Sequence, residues 1–179
     1  VACRRAVLYN GGENARLRKT LSPEKSNVMR LLEARGIPYQ AFSFSPEIRS
    51  AQGVAEALGV PAHTVYKTLV VVPEEGRPFL VLVPGDRELD LRVLARSLGL
   101  KKVRMATQKE AESLTGLQVG GISPLALLGR GWRVYLDRSA LHLEHIFLSA
   151  GRRGVNLRLR VSDLVALTAA RPVEATSGE

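Results

Sequence analysis

Two places in the chain carry residue types that could do chemistry and that their surroundings do not otherwise require. The first is Lys67, inside the apolar run Val65-Tyr66-Lys67-Thr68-Leu69-Val70. A lysine in a strand covered on both faces is costly to bury unpaired. It either snorkels to a strand edge or reaches into a cleft to meet an anion, and on pattern alone the edge is favoured. The second is Gly120-Gly121-Ile122-Ser123-Pro124. Two glycines remove Cβ atoms, so backbone N–H groups can approach a ligand, and Pro124 stiffens the exit. Such a loop can present donors to a phosphate or a developing oxyanion; an ordinary tight turn has the same pattern. Ser149-Ala150-Gly151-Arg152-Arg153-Gly154 is a weaker case of the same kind.

Other chemistries find less support. The three histidines are His63, His142 and His145, with no cysteine or further ligand beside them, and a zinc site needs three or four ligands. The one cysteine, Cys3, lies near the start of the chain and cannot form an intramolecular bridge. There is no G-x-S-x-G elbow, no Walker A loop and no G-x-G-x-x-G. No metal and no cofactor is expected.

The elements that must position these residues are legible from caps and periodicity. Ser22-Pro23 reads as an N-cap with proline at the first helical position, and Gly36 ends that helix. Residues 37–44 alternate like a strand. Ser50 caps a helix closed by Gly59, and Asp90 caps one closed by Gly99. Thr107 and Glu110 form a capping box for a helix that stops near Gly116. The β-formers at 65–72 and 79–83 flank a hairpin-length loop, and their continuous apolar character predicts strands covered on both faces. Shorter strands are predicted at 102–105, 132–136, 145–149 and 155–161, and Ser162 caps a final helix. Helices and strands mix without a strict βαβ rhythm, so the class is α+β with a mixed sheet.

The chain has 179 residues, a net charge of +9 and 45% hydrophobic residues. That is one domain, large enough to fold without a staple. We expect residues 22–171 to form it. Residues 1–21 are a basic extension outside the core, and the chain from Arg171, with 172–179 as the tail, is loose. No apolar run reaches the ~20 residues of a membrane helix, and no leader pattern opens the chain; the expectation is a soluble, cytoplasmic protein with no membrane partner. Positive charge concentrates in two stretches. Residues 1–25 hold six basic against two acidic residues, and residues 130–160 hold seven against two. Such a balance suits a polyanionic partner, although a solvated basic face explains it as simply.

Four blocks taken together resemble the YbaK family of aminoacyl-tRNA deacylases, related to the editing domain inserted in bacterial prolyl-tRNA synthetases. They are Val65-Tyr66-Lys67-Thr68-Leu69-Val70, Leu89-Asp90-Leu91, Ser113 to Leu125, and Ser149 to Gly154. The resemblance covers roughly residues 26–170. It implies an α+β fold with a curved, barrel-like sheet. It also implies hydrolysis of the ester that joins a wrong amino acid to the 3′ end of tRNA, with Cys-tRNA(Pro) first among the substrates. The implied partners are proline-specific tRNA and prolyl-tRNA synthetase. The implied catalytic residues are Lys67, Gly120 and Gly121. Phe44, Ile122, Ser123, Pro124, Ser149, Gly151 and Asn156 would bind substrate, and Arg152 and Arg153 would bind RNA. An aminoacyl ester is already activated, so the missing nucleophile is no objection. The chain departs from the cysteine-removing members at Phe44, where they tend to have tyrosine, and at Asn156, where they tend to have aspartate. A deacylase for alanine, serine or threonine, and a tRNA-binding module without turnover, are the alternatives.

Overall fold

The computed structural model describes residues 7–9 and 24–177. In chain order the first elements are β1 (Val7–Tyr9), α1 (Asn27–Ala34), β2 (Tyr39–Ser43), α2 (Ala51–Leu58), β3 (Tyr66–Pro73), β4 (Phe79–Pro84) and α3 (Leu91–Leu98). They are followed by β5 (Val103–Met105), α4 (Gln108–Thr115), β6 (Val134–Asp137), β7 (His145–Ser149), β8 (Val155–Arg160), α5 (Val161–Thr168) and β9 (Arg171–Val173). The caps explain most of the boundaries. Ser50 accepts from the Gly53 N–H, and Asp90 accepts from the Arg92 and Val93 N–H groups. Thr107 and Glu110 close a reciprocal capping box.

Two helix starts differ from expectation. Helix α1 is capped by Ser26, whose hydroxyl accepts from the Met29 N–H; Ser22 and Pro23 lie outside the described residues. Helix α5 has no side-chain cap. It leaves β8 directly, with Arg160 at the N-cap and Val161 as its first helical residue. A strand reading through Val161 and a Ser162 cap are both displaced by this abrupt turn.

The strands form two open sheets where one barrel-like sheet was expected. The first runs β1-β2-β8-β7 and the second β5-β3-β4-β6-β9. Among the described residues they meet at a single parallel bridge, Val65 to Phe147. In the second sheet β3 and β4 form the predicted hairpin, in register from Tyr66↔Pro84 to Val71↔Phe79. Strands β4, β6 and β9 then run parallel. The alternation of side chains sends one face of each sheet inward. Ala41, Ile146, Leu148, Leu157 and Leu159 from the first sheet share one core with Tyr66, Val70, Leu80, Leu82 and Leu136 from the second. The other face of the second sheet packs Val71, Val81, Val83 and Tyr135 against Leu94 and Ala95 of α3. The other face of the first packs Phe147 against Val54 and Ala55 of α2. Every residue of β4 is buried, as its continuous apolar run requires.

The C-terminal segment is tied down, against the expectation of a loose tail. Strand β9 pairs with β6 from Tyr135↔Arg171 to Asp137↔Val173. Asp137 ends β6 almost fully buried. Its carboxylate accepts from the Ser139 N–H at 3.0 Å and, through Oδ2, from the Ala175 N–H and the Thr176 hydroxyl, each at 3.2 Å. Three residues of the expected extension also join the fold, since Val7–Tyr9 pairs with β2. Cys3 and the remainder of 1–21 lie outside the described residues.

Candidate active site

The first half of β3 differs from β4. Lys67, Thr68 and Leu69 are half-buried, because β5 pairs with β3 only from Val71 to Pro73. A cleft opens at this bare stretch. It encloses about 280 Å³, close to the lower end of the ~300–1,000 Å³ of ligand pockets. Tyr66, Lys67, Thr68 and Leu69 line it from β3. Ser149 and Asn156 line it from the first sheet and Phe44 from just past the end of β2, Val119, Gly120 and Ile122 from the glycine loop, and Ile48 to Gln52 with Val54 from the start of α2 and the residues before it.

Lys67 therefore meets a cleft and not a plain strand edge. Its Nζ donates to Glu88 Oε1 at 3.0 Å, with the lysine side chain 22% exposed and the glutamate 92%. A pair with one partner so open to water is weakly held, so another anion can replace Glu88. Arg49 and the N-terminal end of α2 add positive potential on the same rim. Glu88 is the one carboxylate among the lining residues.

The glycine loop is shaped by contact with the turn after β7. A Cβ on Gly121 would lie 2.9 Å from the Arg152 backbone carbons and from the Arg153 nitrogen. Only glycine lets the two segments touch this closely. Gly120 adopts φ +91°, which favours glycine again. Arg153 Nε donates to the Val119 carbonyl at 2.7 Å. The Glu112 carboxylate accepts from the Val119 N–H at 3.0 Å, and that bond holds its pKa below the ordinary value, with Gln108 and Arg153 adding to the effect. The Gly121 N–H is spent on the Gln118 carbonyl at 2.8 Å, while the N–H groups of Gly120 and Ile122 have no partner among the described residues. Both residues line the cleft, so of the loop's N–H groups these two are not already used within the protein.

Six of the expected site residues line the cleft together: Phe44, Lys67, Gly120, Ile122, Ser149 and Asn156. The others stand behind it. Ser123 is fully buried and caps the short 3-10 turn Pro124–Leu127 through the Leu125 N–H. Gly121 is the contact point between the two loops. The Gly151 N–H donates to the Ser149 hydroxyl at 3.2 Å. Arg152 reaches the Glu24 carbonyl, and Arg153 holds Val119. Both guanidinium groups brace the loops. Reasoning from the sequence missed Arg49, Thr68 and Glu88. The Ser50 cap was visible, but nothing in the sequence shows that this helix end faces Lys67.

No serine on the lining is poised as a nucleophile. Ser50 caps α2 through the Gly53 N–H, and Ser149 holds Gly151. Among the described residues no three histidine, cysteine or carboxylate side chains gather as a metal site, and no helix is long and apolar enough to cross a membrane. What the cleft offers is a cation for an anionic group, two backbone donors and a pocket that water can share. That combination suits an activated acyl ester.

The fold and cleft define an α+β domain of the kind that edits aminoacyl-tRNA. Residues 45–167 match the aminoacyl-tRNA editing domain, and the chain belongs to that family. It is 36% identical over 163 residues to an Enterococcus faecalis protein named as a Cys-tRNA(Pro)/Cys-tRNA(Cys) deacylase, EbsC, covering 90% of this chain and 99% of that one. It is 33% identical over 118 residues to the proline--tRNA ligase of Nitratidesulfovibrio vulgaris, where the match spans 59% of this chain and 20% of the ligase. A solved structure described as a trans-editing enzyme for prolyl-tRNA synthetase superposes with a TM-score of 0.72 at 30% identity, covering 89% of this chain and all of that one.

Proposed function

We propose that the protein is a trans-editing hydrolase that removes a wrong amino acid from tRNA, with Cys-tRNA(Pro) as its first substrate. The observation that carries this reading is that Lys67, Gly120 and Ile122 line one cleft. The phosphate of the 3′-terminal nucleotide displaces Glu88 from Lys67. The ester carbonyl then lies against the Gly120 and Ile122 N–H groups. Water attacks the carbonyl carbon, and negative charge develops on its oxygen, where those two donors stabilise it. The C–O bond to the ribose breaks, the ribose oxygen takes a proton, and free amino acid and uncharged tRNA leave. No side-chain nucleophile takes part.

The site residues follow from this arrangement. Lys67 and Gly120 act on the reacting end, with Gly121 holding the loop. Phe44, Ile122, Ser149 and Asn156 surround the aminoacyl group, and Ser123, Pro124 and Gly151 fix the loops that carry them. Arg152 and Arg153, whose guanidinium groups brace the loops behind the cleft, are the residues that would meet the RNA. The names of the relatives support proline-specific tRNA as the partner; association with prolyl-tRNA synthetase and work in the cytoplasm belong to the same proposal.

The test is deacylation of proline-specific tRNA charged with cysteine, alanine or proline, by the native protein and by Lys67→Ala. Release of one mischarged amino acid that spares proline and falls roughly 100-fold or more in Lys67→Ala is expected. Binding of tRNA without release of any amino acid would overturn the hydrolase and leave a binding module. Phe44 and Asn156, which face the cleft without the hydroxyl and the charge of tyrosine and aspartate, would then be the residues to exchange.

A further inference from the structure

One wall of the cleft carries a hydroxyl with nothing to bond. Thr68 lines the cavity, yet its Oγ1 is closed off from solvent and has no hydrogen-bond partner; among the described residues only Arg152 Nε shares that condition. A buried hydroxyl left unpaired is a net cost to the fold, and a valine of the same shape would remove it. Threonine carries its methyl and hydroxyl on one carbon, so a single χ1 rotation redirects the hydroxyl without moving the backbone.

The backbone at the same residue is also unpaired on one side. The Val70 carbonyl accepts from the Ala106 N–H at 2.9 Å, so Val70 directs its backbone toward the β5 side of β3. Residues two apart in a strand aim their backbone groups alike, so Thr68 does the same. Strand β5 reaches only Val71 to Pro73, and beside Thr68 there is the cleft. Lys67 and Thr68 are neighbours and project to opposite faces of β3. The charged group of a ligand therefore stays with Lys67, and what reaches Thr68 is neutral and polar.

We infer that Thr68 is a further substrate-binding residue. Its hydroxyl and its strand-edge peptide take the neutral polar groups of the aminoacyl-ribose unit while Lys67 holds the phosphate. This rests on the editing reading of the cleft. Thr68→Val and Thr68→Ser test it, with thermal melting, ester hydrolysis, and binding of an amide-linked aminoacyl-adenosine that resists cleavage. Thr68→Val should melt no lower than the native protein, bind the amide about tenfold more weakly and lose kcat/KM by about the same factor, the effect of one hydrogen bond. Thr68→Ser should stay within about threefold of native binding. Native affinity in Thr68→Val, or a loss in Thr68→Ser equal to that in Thr68→Val, would overturn the proposal, and so would a lower melting temperature in Thr68→Val. Native protein that binds the amide but cleaves no ester would sink the hydrolase reading alone, with the Thr68 binding comparison still decisive. Native protein that does not bind the amide overturns both.

Discussion

At Gly121 a single methyl group decides whether two loops can touch. The added Cβ of Gly121→Ala would sit 2.9 Å from three backbone atoms of Arg152 and Arg153. Backbone cannot swing aside as a flexible side chain can, so the loops must separate. We expect Gly121→Ala to cost about 1–3 kcal/mol in urea unfolding, the usual range for overpacking. The Gly120 and Ile122 donors would move with the loop, so hydrolysis should fall further than stability does. Unchanged activity in a destabilised protein would show that the loop contact is only structural. The Lys67–Glu88 pair works in the opposite sense. It is open to water and adds little to stability, so its importance lies in what can replace the carboxylate.

At the scale of elements, α4 shows how local chemistry fixes a boundary and leaves a mark on pH dependence. Glu110 bonds the Thr107 N–H as part of the capping box and also meets Arg104 Nη1 and Nη2 at 2.8 and 2.9 Å. The hydrogen bond from Arg104, followed by that from the Thr107 backbone, pulls its pKa down from 4.5 to about 2. A group with a depressed folded-state pKa adds stability above its unfolded pKa and loses it as pH falls. The contribution of Glu110 is therefore complete above about pH 4.5 and disappears toward pH 2. Melting temperatures followed across that window should fall less steeply in Glu110→Gln than in the native protein; parallel curves would exclude Glu110 as a source of the acid sensitivity. The same capping box was legible in the sequence, as were the Ser50 and Asp90 caps and the β3–β4 hairpin, because each depends on residues within a few positions of one another. The start of α5 was not, since Arg160 has no side-chain cap to announce it. Strand β9 was missed because its pairing partner lies 36 positions earlier, at Tyr135. The cleft was half visible for the same reason. The types of Lys67 and Gly120 pointed to chemistry, whereas Thr68 joins the cleft lining because β5 stops short of it, and Glu88 through its contact with Lys67.

For the whole molecule, the C-terminal segment is part of the second sheet. The Asp90 N–H donates to the Ala175 carbonyl at 2.8 Å, and Asp137 accepts from Ala175 and Thr176. Removing residues 172–179 would take β9 from the edge of β6 and leave the buried Asp137 carboxylate with part of its hydrogen-bond set. A loss on the order of 3 kcal/mol or more is expected in chemical denaturation. An unaltered midpoint would mean that the fold does not depend on residues 172–179. The cleft itself draws on positions from Phe44 to Asn156, with both sheets, α2 and two loops between them. No short peptide lifted from this chain carries enough of it to bind anything. The catalytic apparatus can be relocated only by moving nearly the entire unit, so shuffling between proteins must proceed by transplanting a complete cassette. The 118 residues matched in the proline--tRNA ligase of Nitratidesulfovibrio vulgaris are about as many as the positions that separate Phe44 from Asn156.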